Sequence, residues 1–130
     1  MIVIDASAMV EALLGSATDR ELMDVLAGDI SAPHLLDVDV TSVLRALTLA
    51  GKATPEAAEQ ARRTYFEFAV ARVDFGPLAD RVWALRRQFT SYDANYLALA
   101  EALDAELFTC DHKLDTRGHH AKVRVLQRTT

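Results

Sequence analysis

The sequence predicts a helix-rich α/β domain. Short β-branched or apolar runs of strand length alternate with longer amphipathic segments, and capping and turn residues mark the breaks. Strands separated by helices pair in parallel, with helices on both faces of the sheet. With 130 residues, half of them apolar (51%), the chain suits one domain over residues 1–130 with a core of its own.

Ile2-Val3-Ile4 is a β-branched run suited to a buried strand, ended by Asp5. Ser7 is placed to cap a helix reaching Leu14, and Thr18-Asp19-Arg20-Glu21 has the capping-box pattern that opens a second. Gly28 is expected to close that helix in the left-handed conformation. A short Ile30-Ser31-Ala32 segment is halted by Pro33, and a long helix is expected from His34 to Ala50, stopped by Gly51. Thr54-Pro55-Glu56 opens the next helix, with proline where its missing N–H costs nothing, and the pattern continues to about Ala69. A strand is predicted over Arg72–Phe75, helices over Leu78–Arg87 and Ser91–Leu103, and late strands over Glu106–Thr109 and Val123–Leu126.

Composition restricts function. The net charge of -5, from 19 acidic and 14 basic residues, has the wrong sign for holding nucleic acid by bulk electrostatics. An acidic protein acting on a polyanion needs a bound divalent cation or a local basic patch. The tail supplies a patch of that kind, with Lys113, Arg117, Lys122, Arg124 and Arg128 against Asp111 and Asp115; a solvated strand face explains it equally well. The single cysteine, Cys110, excludes an intramolecular disulfide. The opening Met1–Asp5 resembles neither a signal peptide nor a membrane span, so a cytoplasmic location is expected.

Four acids stand out. Asp5 and Asp111 follow strands, and ligands of open parallel sheets gather at strand carboxyl ends; either residue taken alone is also an ordinary turn aspartate. At about 100° per residue, Leu35, Leu36, Val43 and Leu47 all project within roughly 80° of Asp39, placing that acid inside an apolar stripe. An unpaired carboxylate there is costly, so it should be paired with a cation or a metal or be kept protonated; a partner from another element or a stripe edge open to solvent is the plainer alternative. Asp37 points about 160° away and reads as an ordinary solvated acid. Asp93 occupies a first helical turn, where acids favour the dipole, yet it shares a side with Tyr96, Leu97 and Ala100. A cluster of these four would repel itself unless a hard, oxygen-seeking ion such as Mg²⁺ or Mn²⁺ joined it. Zinc fits poorly, because His119 and His120 are adjacent, in an expected surface loop, and Cys110 is alone.

Several blocks then carry a family resemblance. Met1-Ile2-Val3-Ile4-Asp5-Ala6-Ser7-Ala8 resembles the opening of PIN-domain proteins, especially the VapC toxins of bacterial toxin–antitoxin pairs. Ala32-Pro33 followed by an acid-bearing helix with Val43-Leu44-Arg45 is similar, as is Thr90-Ser91-Tyr92-Asp93-Ala94 with Tyr96-Leu97-Ala98-Leu99-Ala100-Glu101. Leu107 and Thr109-Cys110-Asp111 continue the match across the whole chain. The resemblance implies a PIN-like three-layer α/β/α sandwich, with a mostly parallel sheet of about four to five strands and about six to seven helices.

It further implies that Asp5, Asp39, Asp93 and Asp111 bind Mg²⁺ or Mn²⁺ and cleave RNA, with Ser7, Thr109 and Asp115 beside the metal. Arg86, Arg87, Lys113 and Arg117 are candidate RNA contacts. A VapB-like antitoxin and a homodimer are the implied partners. One departure stands out: Asp39 occupies a position where the family usually has glutamate, one methylene longer. An inactive PIN domain serving as a partner-binding module is therefore the main alternative. A haloacid-dehalogenase-type phosphatase fits poorly, since Ser7 stands where it needs a second acid, and Asp37 and Asp39 lie on opposite helix faces and cannot chelate one ion as in a glycosyltransferase.

Overall fold

The computed structural model describes residues 1–130. Its core is a five-stranded, wholly parallel sheet in the order β3-β2-β1-β4-β5, formed by β1 (Ile2–Ile4), β2 (Ile30–Pro33), β3 (Val70–Val73), β4 (Glu106–Thr109) and β5 (Val123–Val125). Central β1 is buried along its length, as its apolar sequence requires of a strand covered on both faces. Six α-helices connect the strands: α1 (Ala6–Leu14), α2 (Arg20–Leu26), α3 (Leu35–Leu49), α4 (Pro55–Tyr65), α5 (Ala79–Ala84) and α6 (Ser91–Leu103). This is the expected parallel sandwich, with strand and helix numbers inside the expected range.

The chain runs outward from β1 to β2 and β3, then crosses back to β4 and β5. Right-handed crossovers in opposite directions put their helices on opposite faces. Accordingly α1, α3 and α4 pack together, while α6 packs on β1, β2 and β4 with α5 beside it. The reversal makes the carboxyl ends of β1 and β4 a topological switch point, where open α/β sheets form their binding crevice.

The structure corrects several local expectations. Asp5, not Ser7, caps α1, because its side chain takes the Ala8 N–H at 3.0 Å. Asp19 caps α2 through the Glu21 and Leu22 N–H groups, while the Thr18 hydroxyl turns to the Glu11 carbonyl. Gly28 keeps a negative φ; Gly51 (φ 71°) and Asp104 (φ 48°) are the left-handed residues that follow helices α3 and α6. Helix α4 stops at Tyr65, and β3 starts two residues earlier than predicted, because Val70 pairs with Ile30 and fills the core. The expected Leu78–Arg87 helix is a 3-10 turn (Gly76–Leu78) followed by the short α5.

Two polar side chains brace the frame. Asp37, expected in solvent, is half-buried: it accepts the Tyr65 hydroxyl at 2.6 Å and the Arg72 Nε at 2.9 Å, tying α3 to α4 and β3. Against burial that would raise its pKa, the Arg72 and Tyr65 hydrogen bonds hold it below the usual carboxylate range. His119 is likewise no loose loop residue. Its ring lies 5.7 Å from that of Phe89, Nε2 is 2.7 Å from the Leu114 carbonyl, and Nδ1 accepts the Ala121 N–H; adjacent His120 is exposed. No helix is long and apolar enough to cross a membrane.

Candidate active site

Asp5 leaves the end of β1 as the N-cap of α1, so the backbone places it at the switch point. Ser7 donates to its Oδ1 at 2.7 Å, and Thr109 donates to its Oδ2. Both hydroxyls also accept from the next strand end: Ser7 Oγ from the Cys110 N–H (2.8 Å), Thr109 Oγ1 from the Asp111 N–H (2.9 Å). The two side chains therefore lace β1 to the end of β4 and fix the carboxylate between them.

Asp111 follows β4 and caps a 3-10 turn (His112–Leu114), accepting the Lys113 N–H at 2.9 Å. Asp93 lies in the first turn of α6, whose N-cap Thr90 accepts the Asp93 N–H. Asp39 projects from α3 and accepts the Tyr96 hydroxyl at 2.6 Å. The partner for Asp39 thus comes from another element, α6.

All four aspartates line one pocket of about 260 Å³, together with Ser7, Ser42, Tyr92, Tyr96 and Arg128. A larger groove of about 380 Å³ between α3 and α4 has one carboxylate, Glu59, and that acid is paired with Arg62 and Arg63. Unsatisfied charge, rather than size, singles out the acidic pocket. Burial, opposed by the Thr109, Ala8 and Ser7 hydrogen bonds and aided by the Asp111 charge, pushes the Asp5 carboxyl above its ordinary pKa. Asp93 is raised by burial and then by Asp111 and Asp39, with Lys113 opposing. Burial pushes the Cys110 thiol up to about 11, which keeps it protonated behind the pocket.

Other expected residues fall elsewhere. Asp115 is exposed and does not line the pocket, because the 3-10 turn after Asp111 carries it away. Arg86 sits 4.6 Å above the exposed Trp83 ring, and neither it, Arg87 nor Arg117 lines the pocket. Lys113 is the one expected basic residue whose charge reaches Asp93. Sequence reasoning missed Tyr96 and Arg128. Tyr96, one turn after Asp93, was legible as a neighbour on the same face; Arg128 was not, since its place depends on how the tail leaves β5.

The donor set suits a hard cation: four carboxylates and flanking hydroxyls, with no sulfur or imidazole lining the pocket. No three acids converge into a ready-made cage. A Mg²⁺-like ion, which keeps several waters and takes one or two carboxylates directly, fits so open an arrangement.

An α/β domain with an acidic pocket at its switch point is the class that fold and site define. Residues 2–119 match the PIN domain, and the chain belongs to the PIN-domain family. It is 38% identical over 118 residues, 91% of each chain, to the VapC ribonuclease Mb0985 of Mycobacterium bovis. The fold is shared with PAE2754 from Pyrobaculum aerophilum (TM-score 0.70, 20% identity, 94% of this chain and 81% of that one). It is also shared with a toxin–antitoxin complex from Klebsiella pneumoniae (TM-score 0.55, 20% identity, 87% and 88%).

Proposed function

We propose that this protein is a Mg²⁺- or Mn²⁺-dependent endoribonuclease of the VapC toxin type, cleaving cellular RNA and held in check by a VapB-like antitoxin. The observation that carries the reading is the meeting of Asp5, Asp39, Asp93 and Asp111 in one pocket from four separate places in the chain. The ribonuclease named among its relatives supports the RNA substrate, and the toxin–antitoxin neighbour supports the inhibitor. In this reading the four aspartates are the metal-binding and catalytic residues, and Ser7 and Thr109 orient Asp5.

When bound, the divalent ion supplies Lewis acidity at the scissile phosphate and lowers the pKa of water. The chain's own residues do the rest. Thr109, Ser7 and the Ala8 N–H hold both oxygens of Asp5 in place, so little reorganisation accompanies reaction. Tyr96 holds one oxygen of Asp39, Oδ2. Asp93 faces the pocket from the first turn of α6, half-buried, where it would join the other three acids in holding the ion. Lys113 offsets the acids where the RNA backbone approaches, and the substrate is an exposed single strand or loop of transfer, ribosomal or messenger RNA.

Attack by water leaves 5′-phosphate and 3′-hydroxyl ends. Sequencing with and without phosphatase treatment tests this, and 2′,3′-cyclic phosphate products would contradict it, because they require the ribose hydroxyl as nucleophile. The inactive-module reading draws on one observation, the short acid at position 39, Asp39. Mn²⁺ titration calorimetry separates the two readings: heat of binding lost in Asp93→Asn supports the enzyme, and none in wild type supports the module. The reading includes a cytoplasmic location and a homodimer, the second of which sedimentation of the purified protein tests.

A further inference from the structure

Glu11 is wholly buried in α1, and no cation pairs with it. A buried carboxylate without a counter-ion is expensive unless hydrogen bonds replace the lost water. The tail supplies them. The Thr129 N–H donates to Glu11 Oε1 at 2.7 Å, the Thr129 hydroxyl donates to Oε2, and the Thr130 hydroxyl stands 3.5 Å from Oε1. Ser16 Oγ adds a bond to the Thr129 carbonyl, and the Ala17 N–H one to its hydroxyl. Gly15 keeps the slot open, since a Cβ there would lie 2.2 Å from Glu11 Oε2.

Three residues upstream, the Leu126 N–H donates to the Thr109 carbonyl at 2.7 Å. The tail is thus fastened on both sides of Gln127-Arg128, once to the strand end beside the acidic pocket and once to Glu11. Arg128, held between these anchors, lines the pocket with the four aspartates. Yet it is exposed and forms no ion pair with any of them. A cation serving only to neutralise the acids would pair with one. A cation fixed at the rim with its guanidinium free is instead available to a phosphate, which it can grip bidentately.

We infer that Arg128 grips an RNA phosphate next to the one being cleaved, and that Glu11 is the positioning residue that holds Arg128 at the pocket through Thr129. The inference rests on the ribonuclease reading and adds the tail to the substrate site. Both halves are tested on the full chain with a fluorescein-labelled single-stranded RNA containing a mapped cleavage site. Binding is followed by anisotropy in Ca²⁺ across a salt series, steady-state cleavage is measured in Mg²⁺, and thermal melts establish that each variant is folded.

Arg128→Gln should raise Kd and KM about tenfold, as loss of one charged hydrogen-bonded contact does, with a smaller change in kcat. It should lower the slope of log affinity against log salt by about 0.7, one phosphate's worth for a single strand. Arg128→Lys should restore most of the slope. Glu11→Gln should reproduce the Arg128→Gln binding defect, and the double variant should be no worse than either single. Should Glu11→Gln fail to fold, Thr129→Val decides the positioning half, since it removes the hydroxyl donor and leaves the carboxylate in place. Wild-type Kd and salt slope in Arg128→Gln, with RNA still cleaved, would overturn the inference alone. Additive losses in the double variant would reduce Glu11 to a structural anchor and overturn its positioning role. A wild type that neither binds nor cleaves RNA would bring down the ribonuclease reading and this inference together.

Discussion

Tyr96 donates its hydroxyl to Asp39 Oδ2 at 2.6 Å, joining α6 to α3 between residues 57 positions apart. The contact gives the short acid of α3 a fixed place in the pocket. Burial, and then the Asp39 carboxylate, drive the Tyr96 pKa far above its ordinary value, so the hydroxyl remains a donor at any working pH.

Tyr96→Phe keeps the ring and removes only the donor. It should cost about 1–2 kcal/mol of stability by leaving a half-buried carboxylate short of a partner. Cleavage should fall by about tenfold as Asp39 loses its fixed position. Urea unfolding and initial-rate assays on the same preparation measure both. An unchanged cleavage rate would mean that Asp39 does not need Tyr96.

Asp37 and Asp39, two residues apart on one helix, should separate cleanly. Asp37→Asn weakens the contacts to Arg72 and Tyr65 and should lower stability while leaving cleavage at wild-type level; Asp39→Asn should do the reverse. The Asp37 pKa is lowered in the fold, so its contribution is present above the ordinary carboxylate pKa and lost as pH falls through the folded one. The Asp37→Asn stability deficit should therefore shrink on acidification, which melts over a pH series would follow.

Asp93 has the opposite sign. Its pKa is raised in the fold, so the folded state binds that proton more tightly, and stability is lost as pH rises through the folded pKa. Without divalent ions, Asp93→Asn should melt above wild type at pH 7, and the advantage should disappear as pH drops toward the ordinary carboxylate pKa. An advantage independent of pH would assign the effect to something other than the cost of ionising a buried Asp93 beside Asp111.

Burial and crowding of these carboxylates predict a response to metal. Mg²⁺ or Mn²⁺ at a hundred times its Kd should stabilise the protein by about 2.7 kcal/mol, reversed by EDTA. The response should vanish in Asp93→Asn if Asp93 holds the ion. Equal stabilisation of wild type and variant would place the ion elsewhere.

Much of this was legible before the structure. The β-branched run before Asp5 gave the central strand. The apolar stripe around Asp39 pointed to a cation or metal, with a partner from another element as the alternative; the partner in the fold is the neutral hydroxyl of Tyr96. Helix starts were harder, because at both α1 and α2 an aspartate takes the cap beside a hydroxyl residue, leaving Ser7 and Thr18 for other bonds. Helical direction alone put Asp37 in solvent, although strand β3 brings Arg72 against it. The positions of Glu11 and Arg128 depend on a tail folding back onto α1, a contact across 118 positions that no local pattern encodes.

The most direct measurement is cleavage of total cellular RNA by purified, antitoxin-free protein with Mg²⁺, Mn²⁺ or EDTA, beside Asp5→Ala and Asp93→Ala. The account predicts discrete fragments from wild type with either metal, none with EDTA, and none from either variant. Identical behaviour of wild type and both variants would contradict it, because the acidic pocket would then have no part in cutting RNA.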